Sequence, residues 1–136
     1  MTVLYLLDTD IASNIIKSRS VGVEAKLASI PPESVAISAV TQAELLYGLK
    51  RLPLNHPLQP IVLHFLRIVK VLPWPPEAAG YYAEIRHQLL STGQPIGEMD
   101  MMIAAHALAL DATLVTNNMR HYERIALQVR IENWTV

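Results

Sequence analysis

Short apolar runs without polar alternation take turns along this chain with longer stretches of helical period. Val3–Leu7 is the first such run, five residues with no polar member, and Asp8 follows it directly. A strand of that kind is covered on both faces and belongs in the middle of a parallel sheet. Thr9–Lys17 then reads as a short helix with Ile11, Ile15 and Ile16 inward, and Val21–Ser29 as a second, ended by Pro31 and Pro32. Val35, Ile37 and Ser38 form the next strand. Val40–Leu52 predicts an amphipathic helix packed through Ala43, Leu45, Leu46 and Leu49. Pro53, Pro57 and Pro60 mark a constrained connection before a helix over Ile61–Val69, which offers Leu63, Phe65, Leu66 and Val69 for packing. A third strand, Val69–Leu72, is closed by Pro73, Pro75 and Pro76. Glu77–Thr92 predicts a long helix bearing Ala79, Tyr82, Ala83, Ile85, Leu89 and Leu90, stopped by Gly93 and Pro95. Met99–Leu110 is apolar nearly all round, the pattern of a helix with little solvent exposure. Leu114 and Val115 make a fourth strand, Asn118–Arg124 a short helix or turn, and Leu127–Ile131 an edge strand. Strands separated by helices of this length need right-handed crossovers. The expected class is therefore α/β, a three-layer α/β/α sandwich in a single domain over residues 1–136.

Composition narrows the function. Hydrophobic residues make up 51% and charged residues 17%, which excludes disorder and calls for a fully packed core. With no cysteine there are no disulfides, no thiol chemistry and no Cys-based zinc site, a usage that suits a cytoplasmic protein. No apolar run reaches the ~18–20 residues of a membrane span, and Asp8 interrupts the N-terminal run too early for a signal peptide. The net charge of −1, from 11 basic and 12 acidic residues, argues against a non-specific nucleic-acid binder. It leaves room for an enzyme that meets a phosphate backbone through metal ions and a local basic rim.

In open α/β sheets ligands bind at the carboxyl ends of the strands, so polar residues there are the candidates for chemistry. Asp8 follows the first strand, and Glu44 lies early in the helix after the second. Asp100 heads the apolar helix, and Asn117 and Asn118 follow the fourth strand. Each has a structural alternative. Asp8 could be an N-cap, Thr41-x-x-Glu44 a capping box, Asp100 an answer to a helix dipole, and the asparagines turn formers. A parallel sheet nevertheless brings all these ends to one edge. Converging carboxylates repel unless they are protonated, paired or bound to a cation. All-oxygen ligands with spare positions suit Mg²⁺ or Mn²⁺, and the matching chemistry is phosphodiester hydrolysis. Ser38 and Thr41 could bond a phosphate or order Glu44. The five histidines have no metal-ligand spacing, and His106, inside the apolar helix, reads as a core histidine. There is no phosphate-binding glycine loop and no G-x-S-x-G elbow.

The blocks LLDTD at 6–10, AVTQAELLYGL at 39–49, PIGEMDMMIAAHALALDATLVTNN at 95–118, RHYERI at 120–125 and VRIENW at 129–134 resemble PIN-domain ribonucleases of the VapC toxin type, the toxic half of a type II toxin–antitoxin pair. The resemblance covers essentially the whole chain. It implies a four- or five-stranded parallel sheet, an acidic pocket holding Mg²⁺ or Mn²⁺, and a homodimer. It further implies endoribonuclease cleavage of structured RNA, transfer or ribosomal, and a cognate antitoxin that blocks the pocket. Carried over residue by residue, Asp8, Glu44 and Asp100 match the family's metal-holding acids. Asn118 falls at the fourth, usually acidic, position and completes the catalytic set without charge. Asp10 replaces the usual Asn of D-T-N and is a supporting candidate, as are Thr116 beside the carboxylates and Ser38. His121 and Tyr122 stand where Asp-Phe is frequent. Arg120, with Arg86 and Arg124, is expected to form a basic rim for RNA. The competing readings are a catalytically impaired binding module and a phosphohydrolase acting on DNA or phosphate esters.

Overall fold

A computed structural model describes residues 3–135; Met1, Thr2 and Val136, which belong to the expected 1–136 domain, lie outside the described residues. β1 (Tyr5–Leu7) runs directly into α1 (Thr9–Ile16), followed by α2 (Val21–Ala28) and a 3-10 turn at Pro32–Ser34. β2 (Val35–Ser38) leads into α3 (Ala39–Lys50), and α4 (Leu58–Ile68) into β3 (Lys70–Leu72). The remaining elements are α5 (Ala78–Ser91), α6 (Glu98–Leu110), β4 (Thr113–Val115), α7 (Met119–Glu123) and β5 (Ile131–Glu132).

The five strands form one wholly parallel sheet in the order β3-β2-β1-β4-β5, so Tyr5–Leu7 of the apolar run predicted to be a central strand is central, while Val3, 53% exposed, and Leu4 lie outside the strand. Successive strand residues face opposite sides, and the two sides bury different helices. Leu6, Ala36 and Leu114 pack with Ile85, Leu89, Ile103 and Ala107, from α5 and α6. Leu7, Ile37 and Val115 pack with Ile11, Val23, Leu45 and Val62, from α1, α2, α3 and α4. This is the expected three-layer α/β/α sandwich. In α6, Met101 and Ile103–Ala107 are buried, as its all-round apolar pattern predicted.

The structure corrects several boundaries. α4 begins at Leu58, so Pro60 lies in its first turn, not in the connection. Proline is tolerated there because the N–H groups of a first helical turn have no intrahelical partner. The last strand is Ile131–Glu132 and not Leu127–Ile131. Its partner β4 has three residues, and the ladder pairs only Leu114 with Ile131 and Val115 with Glu132. Leu127 and Val129 serve instead as half-buried packing against the α5–α6 side. On α3 the buried stripe is Val40, Thr41, Leu45 and Leu49, which leaves Ala43 and Leu46 outside it and exposed. Leu63 of α4, predicted to pack, is also exposed, as is Leu90 of α5. Among the described residues no helix is long and apolar enough to cross a membrane.

Candidate active site

The register of the sheet assembles the site. Leu7 is aligned with Ile37 on one side and with Val115 on the other, so the next residues, Asp8, Ser38 and Thr116, leave the sheet at one level. Asp8 is 3% exposed. Its backbone N–H donates to the Val115 carbonyl at 3.0 Å, and its Oδ1 accepts the Ile11 N–H at 2.8 Å. Asp8 is thus the N-cap of α1, and capping leaves its other carboxylate oxygen available. Thr116, fully buried, lies against this carboxylate and also accepts the Asn118 N–H at 2.9 Å.

Glu44 is not half of a capping box. Ser38 caps α3 by accepting the Val40 N–H at 3.1 Å, which places Glu44 beyond the first turn. Its Oε1 instead lies 2.5 Å from Thr9 Oγ1, which is 3.1 Å from Thr41 Oγ1. A hydroxyl has one proton, so Thr9 donates to the carboxylate and accepts from the buried Thr41. Asp100 occupies the first turn of α6, and its Oδ2 is 3.6 Å from His121 Nδ1. The same ring nitrogen is 2.8 Å from the Asn118 side-chain nitrogen.

Burial and mutual repulsion shift these acids together. Asp8 is pushed up to about 7, chiefly by burial, against the opposing bonds from Thr116 and Ile11, with the charges of Asp10 and Asp100 adding to the rise. Burial is also the main cause raising Glu44, where Thr9 opposes and Asp100 and Asp10 add. Asp100 is raised by burial and by Asp10, and lowered by His121. Four carboxylates from α1, α3, α6 and the end of β1 therefore share one electrostatic environment. Among the described residues no three Asp, Glu, His or Cys side chains stand close enough to one another to hold a metal ion as they are placed. An open set of oxygen donors with surplus negative charge fits a hard divalent ion that keeps several of its own waters, as Mg²⁺ does. Asp8, Asp100 and Glu44 are the residues that could hold it.

Other expected contributors fall differently. Asp10 is exposed and lines, with Thr9, Glu44, Ser13 and Lys17, a groove of about 370 Å³ beside the acids. Ser38 is fully buried and committed to Val40 and to His106 Nδ1 at 2.8 Å, so it does not reach a phosphate. His106 is a core residue, as its position in an apolar helix predicted, and burial lowers its pKa toward the neutral ring. Arg86 is paired with Glu98 at 3.0 Å, and Arg124 reaches the Pro95 carbonyl. Arg120 is exposed and makes no ion pair among the described residues. Sequence reasoning did not find Thr9 as the partner of Glu44, nor His121 and Tyr122 as neighbours of Asp100. The one available signal was that α7 directly follows the strand end at Thr116.

Comparison with known proteins agrees with this fold. The PIN domain model matches residues 5–127. Ribonuclease VapC2 of Haemophilus influenzae is 33% identical over 130 residues, 96% of this chain and 97% of that protein. The tRNA(fMet)-specific endonuclease VapC of Shigella flexneri is 32% identical over 131 residues, 96% and 98% of the two chains. The crystal structure of VapBC2 from Rickettsia felis, bound to a DNA fragment from its promoter, contains a chain that superposes with a TM-score of 0.87 at 32% identity, over 97% of this chain and 99% of that one. Agreement along nearly the full length, in sequence and in the path of the sheet, makes this chain a member of the PIN-domain family, among the VapC ribonucleases.

Proposed function

We propose that this protein is a toxin of the VapC type, a single-domain endoribonuclease dependent on Mg²⁺ or Mn²⁺ that hydrolyses phosphodiester bonds in structured RNA and is neutralised by a cognate antitoxin in the cytoplasm. The observation that carries the reading is the convergence of Asp8, Glu44 and Asp100 at one sheet edge, all with raised pKa. The relatives supply the substrate class and the partner: one is named for a transfer RNA, and several structural neighbours are toxin–antitoxin complexes.

In the chemistry we assign, Asp8 and Asp100 are the residues that would hold a divalent cation. A bound divalent cation supplies a lowered water pKa and stabilises charge on the departing oxygen. Glu44 holds the attacking water. Its Oε1 is engaged by Thr9, leaving Oε2 to accept the water proton. Attack by water leaves a 5′-phosphate and a 3′-hydroxyl, and the RNA 2′-hydroxyl takes no part. Thr116 orders Asp8, and Asn118, an amide without charge, is auxiliary. The purified protein incubated with Mn²⁺ and labelled RNAs and DNAs tests the assignment. Cleavage of RNA alone is expected; cleavage of DNA selects a different phosphodiesterase, and no cleavage selects the binding module that the uncharged Asn118 favours.

Two further expectations belong to this reading. Arg120, exposed and free of ion pairs among the described residues, contacts a substrate phosphate. Arg120→Ala should weaken RNA binding and lower the slope of log affinity against log salt by roughly 0.7–0.9, one phosphate contact, with no change in melting temperature. An unchanged salt slope removes Arg120 from the interface. Exposed Leu46, Leu54 and Leu63 line one depression at the α3–α4 end, with Leu54 95% exposed. Apolar surface of this kind supports self-association and antitoxin docking.

A further inference from the structure

Tyr122 and Asp100 each lack what the other has. Tyr122, on α7, is 3% exposed, and its buried hydroxyl has no hydrogen-bond partner. Asp100 accepts no hydrogen bond within ordinary distance among the described residues; its nearest cationic group is His121 Nδ1 at 3.6 Å, and that nitrogen is already engaged by Asn118 at 2.8 Å. The side chain facing this hydroxyl is the Asp100 carboxylate, a contact longer than an ordinary hydrogen bond, and the neighbouring His121 flanks the same carboxylate, so the hydroxyl sits at the acidic pocket. The ring packs in the cluster that contains Leu6, Leu114 and Ile125, a volume that phenylalanine would fill equally well. The hydroxyl is therefore not there for packing. Burying it unpaired is unfavourable.

We infer that Tyr122 is a positioning residue whose phenol donates a hydrogen bond to Asp100 and fixes that carboxylate for a divalent cation. The inference rests on the metal-site reading above. A carboxylate that binds a cation through one lone pair keeps others free, and a neutral donor on the outer side orients it without competing for the ion. A phenol suits this task. Burial among carboxylates raises its pKa, so it remains a donor throughout the working range. His121, less deeply buried, flanks the same carboxylate more loosely.

Mn²⁺ titration of wild type and Tyr122→Phe, followed by the electron paramagnetic resonance of free Mn²⁺, tests this directly. Tyr122→Phe is expected to raise the Kd for Mn²⁺ about tenfold. RNA cleavage should fall at limiting Mn²⁺ and recover at saturating Mn²⁺. The melting temperature in EDTA should change little, because phenylalanine fills the same packed volume beside Leu6, Leu114 and Ile125. A Kd within twofold of wild type overturns the inference and leaves the ribonuclease reading intact, whereas wild type that binds no Mn²⁺ overturns both. Should Tyr122→Phe fold poorly, wild type labelled with ¹³Cζ-tyrosine serves. The Tyr122 resonance is expected to move on Mg²⁺ addition, and a resonance that stays put overturns the inference.

Discussion

Replacing Asp8 with Asn should abolish cleavage and, in the same molecule, stabilise the metal-free fold. The amide keeps the size of the side chain and can still accept the Ile11 N–H at the head of α1, so the N-cap survives. What disappears is the negative charge that recruits the cation. Activity is expected to drop by more than about 100-fold, beyond what loss of an outer-shell partner costs. The stabilisation has a separate cause. Asp8 is almost fully buried and its pKa of about 7 lies far above the ordinary 3.8, so ionising it at pH 8 works against folding. Removing that burden is worth on the order of 2–4 kcal/mol in the absence of metal. Asp100→Asn should lose activity to the same degree with a smaller gain in stability, because Asp100 is only partly buried. Cleavage assays with Mn²⁺ and thermal melts in EDTA report the two effects separately. Wild-type activity undiminished in excess EDTA, or an Asp8→Asn protein that cleaves normally at low Mn²⁺, rules out the assignment.

Acidification should act on activity and on metal-free stability in opposite directions. A cation and a proton compete for Asp8, which titrates near 7. Cleavage at limiting Mn²⁺ is therefore expected to fall by about tenfold per pH unit below 7, so that pH 5 lies about 100-fold below the plateau. The stability of the metal-free protein runs the other way. The folded pKa of Asp8 exceeds the unfolded value, so its favourable contribution is complete below about 3.8 and disappears as pH rises through about 7. Glu44 and Asp100, also raised, add to the same trend. Relative to an Asp8→Asn control, wild type in EDTA should be more stable at pH 5 than at pH 8. An Mn²⁺ affinity that does not change between pH 5 and 8 places Asp8 outside the cation site.

The chain announces most of its architecture locally. Val3–Leu7 has no polar residue to turn outward, which marks it as the centre of a covered sheet, and the all-round apolar α6 is buried for the same reason. The candidate acids are equally visible. Asp8 stands where an apolar run stops, Glu44 lies in the helix that follows β2 and Asp100 in the first turn of α6, and a parallel sheet sends strand ends and the helices they enter to one edge. The chemistry of converging carboxylates pointed to a hard divalent cation, and the family resemblance added RNA and the antitoxin, which no periodicity encodes.

Only the tertiary structure decided which groups meet. Thr9 bonds Glu44 across 35 residues, His106 reaches Ser38 across 68, and Tyr122 comes to lie by Asp100 from α7, the helix that follows β4. None of these pairs shares a helical or strand period, so no local pattern can indicate them. They arise from the order of strands in the sheet and the seating of helices on its faces. The same holds for Ser38, a buried cap and not a phosphate contact, and for β5, where only Ile131 and Glu132 find partners, Leu114 and Val115 of β4. Periodicity states which face of an element is buried; the partner on that face, and whether a polar group there is satisfied or left free, is settled when the layers close.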